Sequence, residues 1–175
     1  ISVYGFVFSF VSSCFIVFGS FYFALFFWWF GRFFDGLDGL LARKTKKLSA
    51  YGSFLDITLD MFSYSLVVLA FFLVYKEYAF LWALVLVGYC LCITTALALG
   101  AGEKEVGMNS RDNRGLRLAS GLCEGGETGI VYSLLLIFPS YVEMLLYLWV
   151  FLLFLTVFLR VILASRSLNI KKSCL

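Results

Sequence analysis

The chain has 175 residues, of which 62% are hydrophobic and 14% charged, with a mean hydropathy of +0.96 and a net charge of +3. A soluble domain is nearer to half apolar and a quarter charged, so these values exclude that class and point to an all-α integral membrane protein. The chain has no histidine, which removes the usual zinc ligand and the usual neutral-pH base, and its charge pattern gives no reason to expect nucleic acid as a partner.

A bilayer core of about 30 Å takes about 20 helical residues. Ile1 to Phe18 nearly suffices for a first span, and Gly19-Ser20 reads as a turn. Phe21 to about Leu41 is the second span, carrying Arg32, Asp35 and Asp38 towards its end. Arg43 to Ser49 is a basic connection, and Tyr51 to Tyr75 is the third span, with Asp56 and Asp60 near its start. Lys76-Glu77 turns the chain into a fourth span, Tyr78 to Leu99. Gly100 to Gly121 is the long polar stretch. The apolar run Ile130 to Phe138 is too short to cross, so a fifth span must begin near Leu118 and take in Glu124 and Glu127. Pro139-Ser140 ends it, and Tyr141 to about Leu163 is the sixth. Cys90 and Cys92, two apart, point in different directions on a helix and read as small membrane residues. The chain opens with Ile1 rather than Met, so a truncated N-terminus is expected before a single membrane domain covering 1–175.

Six spans put Arg43, Lys44, Lys46, Lys47, Lys104, Arg111, Arg114, Arg117, Arg166, Lys171 and Lys172 on one side, and Lys76 on the other. The positive-inside rule makes the first side cytoplasmic. Asp35, Asp60 and Glu124 then each lie 14 or 15 residues from the far end of their spans, about 20 Å at the helical rise. Ionisable residues at that depth are expensive and read as functional. The simplest architecture is six transmembrane helices around a cytoplasm-facing polar cavity lined by helices two, three and five.

The carboxylates fall in two pairs. Asp35 and Asp38 are three apart, and Asp56 and Asp60 are four apart, so each pair shares a helix face. Four converging carboxylates in low dielectric need positive charge among them. Oxygen-only ligands favour a hard cation such as Mg²⁺, Mn²⁺ or Ca²⁺. Small residues continue both faces, with Gly39 and Ala42 on one and Gly52 on the other, and let a helix or a ligand approach closely.

The run D-x-x-D-G-x-x-A-R-x8-G-x3-D-x3-D, from Asp35 to Asp60, resembles the signature of the CDP-alcohol phosphotransferases. The opening Ile1-Ser2-Val3-Tyr4-Gly5 and the six-span layout look like the same family. The resemblance implies displacement of CMP from a CDP-linked alcohol by a second alcohol, with CDP-diacylglycerol as the expected donor and a phospholipid as product. It implies that Asp35, Asp38, Asp56 and Asp60 bind two Mg²⁺ or Mn²⁺ ions, and that Asp60 is also the catalytic general base. Gly39, Arg43 and Ser49 match positions that contact the CDP moiety, and Ala42 and Gly52 complete that candidate CDP-alcohol site. A homodimer is expected, in contact with membrane lipids, with its site on the cytoplasmic side of a membrane such as the bacterial inner membrane. The rival class, a transporter or carrier of divalent metal ions, explains the carboxylates but not the Gly39, Ala42, Arg43 and Gly52 spacing.

The acceptor site is expected in Gly121 to Thr128. Glu124 shares a face with Glu127 and Thr128, which suits a polyol or an amino-alcohol such as serine. Arg114 and Arg117, with Arg111 just before them, suit an acceptor phosphate such as that of glycerol 3-phosphate or inositol phosphate. On this reading Glu124→Gln and Glu127→Gln raise KM for the acceptor more than for the donor. Unchanged acceptor kinetics remove both residues from the site.

Overall fold

Hydrocarbon offers the backbone no hydrogen-bond partners, so a chain this apolar has to satisfy its peptide groups within each segment, and helices do so. The computed structural model describes the backbone of residues 2–44, 50–105 and 125–169, and side chains for 3–37, 51–105 and 126–166. Among them are α1 (Ser2–Val17), α2 (Phe21–Lys44), α3 (Ala50–Val74), α4 (Ala79–Glu105), α5 (Gly125–Ile137) and α6 (Val142–Asn169), with no strand among the described residues. Among the described residues, three stretches are long and apolar enough to cross a membrane: Tyr51–Val74, Lys76–Glu105 and Pro139–Arg166. Val3–Val17 and Gly126–Ile137 are apolar but shorter. α2 has the length, at 24 residues, but its second half carries Arg32, Asp35, Asp38 and Arg43.

The helix boundaries have local causes. Gly19 adopts φ +72°, the left-handed conformation that glycine tolerates best. It ends α1 in a Schellman turn, in which the Ser20 N–H donates to the Phe15 carbonyl and the Gly19 N–H to Ile16, both at 2.9 Å. Pro139 opens a short 3-10 turn, Pro139–Tyr141, between α5 and α6, where its missing N–H costs nothing. Lys76–Tyr78 forms the matching turn between α3 and α4. α4 runs to Glu105, six residues beyond the expected Leu99, because Gly100 and Glu103 pack inward and hold the helix on. α6 continues past Leu163 to Asn169. The expected start of a fifth span at Leu118 lies outside the described residues.

α1 packs along both α2 and α3, while α4 packs on α3 and α6, and α5 on α2 and α6. The tightest approach is between α1 and α2. A Cβ on Gly31 would sit 2.9 Å from the Gly5 carbonyl oxygen, and one on Gly5 would meet the Gly31 carbonyl at 3.2 Å and the Asp35 Cβ at 3.6 Å. Two glycines thus let the backbones touch one turn before the first carboxylate. Buried Ser12 adds an interhelical hydrogen bond, donating from Oγ to the Ala24 carbonyl at 2.7 Å. Ser9 and Ser13 donate to carbonyls one turn back in α1.

The core is aromatic. Trp28, Phe71, Trp82, Tyr132 and Trp149 are fully buried, and Phe71 stacks on Trp82 at 5.3 Å. Outward-facing Tyr22, Phe26, Phe33, Phe80 and Phe151 give the bundle an apolar exterior suited to lipid. Cys90 is exposed and Cys92 buried, as their spacing requires.

Gly31→Ala is expected to lower thermal stability in detergent by about 1–3 kcal/mol, because its Cβ meets backbone that cannot yield cheaply. Gly36→Ala, where a Cβ meets nothing within 4 Å, is expected to be neutral or slightly stabilising.

Candidate active site

The two acidic faces meet through an arginine. Arg32 on α2 donates from Nη1 to Asp60 Oδ1 on α3 at 2.6 Å, and to the Tyr64 hydroxyl at 3.2 Å. The same nitrogen lies 3.7 Å from Asp35 Oδ2, one turn along its own helix. The guanidinium carbon sits 5.0 Å from the Trp28 ring centroid and 5.3 Å from that of Tyr64, so two aromatic faces close around the cation. The side chain of Arg32 is 12% exposed, against 23% for Asp35 and 26% for Asp60. The carboxylates therefore open outward and the arginine lies beneath them.

Asp35 and Asp60 thus stand at one level of the α2–α3 junction, since both reach the same guanidinium. Asp56 follows one turn before Asp60 on α3 and is exposed, as is Gly52. Asp38, Gly39, Ala42 and Arg43 belong to the last turns of α2, and their side chains lie outside the described residues. Ser49, Arg114, Arg117 and Glu124 lie outside them altogether. Glu127 is exposed on the first turn of α5, whereas Thr128 beside it is buried, so the two point to different sides of that helix. Concavities of about 460 Å³ along α2, between Tyr22 and Phe33, and about 150 Å³ beside Arg160 are lined by other residues than Asp35, Asp56 and Asp60.

Behind Arg32 runs a buried chain of hydrogen bonds. The Trp149 Nε1–H donates to the Tyr89 hydroxyl at 3.0 Å, Tyr89 donates to the Tyr132 hydroxyl at 2.8 Å, and Tyr132 donates to the Tyr64 carbonyl at 3.0 Å. One line of donors thus joins α6, α4, α5 and α3, and it ends on the residue whose hydroxyl receives Arg32. A buried arginine, Arg160 on α6, donates to the Cys92 carbonyl of α4 at 2.6 Å. Sequence reasoning missed the part played by Arg32 and Tyr64. The signals were present: Arg32 is three residues before Asp35, and Tyr64 extends the Gly52, Asp56, Asp60 stripe by one more turn.

Oxygen donors alone, drawn from two helices and converging on a positive charge, are the donor set a hard divalent cation takes. Among the described residues no group of three or more acidic side chains surrounds one point. Asp35 and Asp60 face a guanidinium, and the fourth carboxylate, Asp38, is not among the described side chains.

Residues 1–123 match the model of the CDP-alcohol phosphatidyltransferase family, and the chain belongs to that family. The match takes in α1 to α4 and ends before α5. The chain is also 33% identical over 116 residues to the inner membrane protein YnjF of Escherichia coli (strain K12), covering 63% of this chain and 54% of that relative. It thus spans about half the length of the curated relative it matches.

Asp60→Ala leaves a largely buried guanidinium without its shortest partner, and is expected to cost about 3 kcal/mol of stability or more. Asp60→Asn keeps an acceptor oxygen and is expected to cost less than half as much. Unfolding midpoints of the two variants in detergent, read side by side, check this order.

Proposed function

We propose that this chain transfers a substituted phosphoryl group, as phosphatidyl from CDP-diacylglycerol, to an acceptor alcohol with release of CMP in phospholipid synthesis. The observation that carries the reading is the junction of Asp35 and Asp60 at one depth, inside a family match that covers both pairs of aspartates. The expected frame is six spans around a polar cavity open to the cytoplasm. A homodimeric assembly belongs to the same reading. The inner-membrane designation of the Escherichia coli relative supports a bacterial inner membrane for this chain too.

In this reading Asp35, Asp38, Asp56 and Asp60 would hold two Mg²⁺ or Mn²⁺ ions, whose positive charge would favour binding of the diphosphate and departure of CMP. Gly39, Ala42 and Gly52 leave room for the CDP moiety beside the carboxylates. Arg43 binds phosphate oxygens through its guanidinium, and Ser49 adds a hydroxyl. Asp60 takes the proton from the acceptor hydroxyl as that oxygen bonds to the phosphatidyl phosphorus, and the phosphorus–oxygen bond to CMP breaks. With Oδ1 of Asp60 held by Arg32, its second oxygen is the one that receives the proton. Glu124 and Glu127, or Arg114 and Arg117, hold the acceptor. A cation-transport reading accounts for the carboxylates but not for the family match over residues 1–123 or the Gly39, Ala42, Arg43 and Gly52 spacing.

Purified protein in lipid, given CDP-diacylglycerol, Mg²⁺ or Mn²⁺ and a panel of acceptor alcohols, is expected to release CMP in an acceptor-dependent way. Asp60→Asn is expected to lower that rate by at least about 100-fold while the protein remains folded. CMP release that is indifferent to every acceptor, or full activity in Asp60→Asn, refutes the assignment.

A further inference from the structure

Arg32 lies outside the Asp35–Asp60 signature run, yet two of that run's carboxylates, Asp35 and Asp60, meet at it. It makes contacts to both helices, and its Nε is buried with no hydrogen-bond partner. An arginine that serves to tie two helices gains most from its fork, with two parallel bonds to one carboxylate. Here the contacts converge on Nη1, and the rest of the guanidinium lies against Trp28 and Tyr64. The side chain supplies charge at a point more than it supplies a bonding pattern.

We propose that Arg32 is a positioning residue, the resident counter-ion of the acidic site, and that it and a divalent cation do the same electrostatic work at Asp35 and Asp60. The inference rests on the reading above in one respect, that a divalent cation binds these carboxylates. Without positive charge between them, Asp35 and Asp60 repel each other across the α2–α3 junction. Arg32 offsets that repulsion from the inner side, where it is less exposed than either carboxylate. The acidic faces therefore stay assembled before any cation arrives. The same positive charge opposes an arriving cation, so the preformed site binds it less tightly than four unneutralised carboxylates would. Cation and guanidinium are thus thermodynamically coupled, and removing one increases the effect of the other.

The test uses the full chain in detergent micelles, as wild type, Arg32→Gln and Arg32→Lys. Unfolding midpoints are measured in EDTA and in saturating Mn²⁺, and free Mn²⁺ is followed by electron paramagnetic resonance during titration. Arg32→Gln is expected to unfold below wild type in EDTA and to gain more from Mn²⁺ than wild type does. Its Mn²⁺ affinity is expected to rise by about tenfold or more. Arg32→Lys keeps the charge and is expected to stay near wild-type affinity. A folded Arg32→Gln with unchanged or weaker Mn²⁺ binding overturns the proposal, because a merely structural arginine leaves cation affinity alone. If Arg32→Gln unfolds in EDTA, recovery of folded protein by Mn²⁺ supports the coupling, and failure to recover overturns it. Wild type that binds no Mn²⁺ removes the cation reading and this inference together, whereas equal binding by wild type and variant removes this inference only.

Discussion

The constraint on which the structure turns is the cost of holding a guanidinium away from water. Desolvating an arginine costs several kcal/mol, and the cost is recovered only when charge and hydrogen bonds surround it closely. Arg32 is surrounded by one carboxylate at 2.6 Å, a second at 3.7 Å, a tyrosine hydroxyl and two aromatic faces. Those partners come from two helices, so the requirement is tertiary. α2 and α3 have to meet at one level for the arginine to be tolerable at all. The glycine crossing of α1 on α2 lies next to that level, since the Gly5 position meets both Gly31 and Asp35. A side chain at either glycine would push α1 away at the point where α2 is held in register.

The remaining buried polar groups follow the same logic with less charge. Ser9, Ser12 and Ser13 spend their hydroxyls on backbone carbonyls, and Arg160 spends a donor on the Cys92 carbonyl. In hydrocarbon these are the acceptors at hand, and each such bond removes a desolvation penalty of about 1–3 kcal/mol. Apolar contact alone does little to choose between helix neighbours when lipid is as apolar as the partner. Directional bonds from Ser12 and Arg160, and the aromatic chain through Tyr89 and Tyr132, choose the neighbours instead.

How far the sequence reveals this follows from the range of each interaction. The boundary at Gly19-Ser20 is legible because a left-handed glycine turn is a local event, and so is the break at Pro139. That Asp35 and Asp60 meet at one level is legible because helical rise is uniform and the ends of α2 and α3 are marked by turns. α4 runs on past Leu99 into the stretch that reads as a polar connection from Gly100 onward. Burial of Gly100 and Glu103 against neighbouring structure, which propensity does not include, keeps the helix going. Arg32 was seen but given no role, because its principal partner lies 28 residues away on another helix. Tyr89, Tyr132 and Trp149 sit in apolar runs with nothing local to distinguish them. Their hydrogen bonds join helices separated by 43 to 68 residues of chain, so they become visible only after packing.

Exposure then falls in steps along α3 and its neighbours. Asp56 is open, Asp60 is partly covered, Arg32 is more covered, Tyr64 is buried and Tyr132 is sealed. Full charges occupy the outer steps, a charge-neutralising pair the middle ones, and neutral hydroxyls the innermost. That order is the one in which desolvation can be tolerated, since its cost rises from hydroxyl to lone ion. It also gives the acidic site a floor. Below Arg32 the hydroxyls of Tyr89 and Tyr132 already donate to protein acceptors, so water gains little by advancing past them. A polar reaction site can therefore open at one end of an apolar bundle without wetting its core, with the tyrosine layer rather than the aspartates marking how deep it reaches.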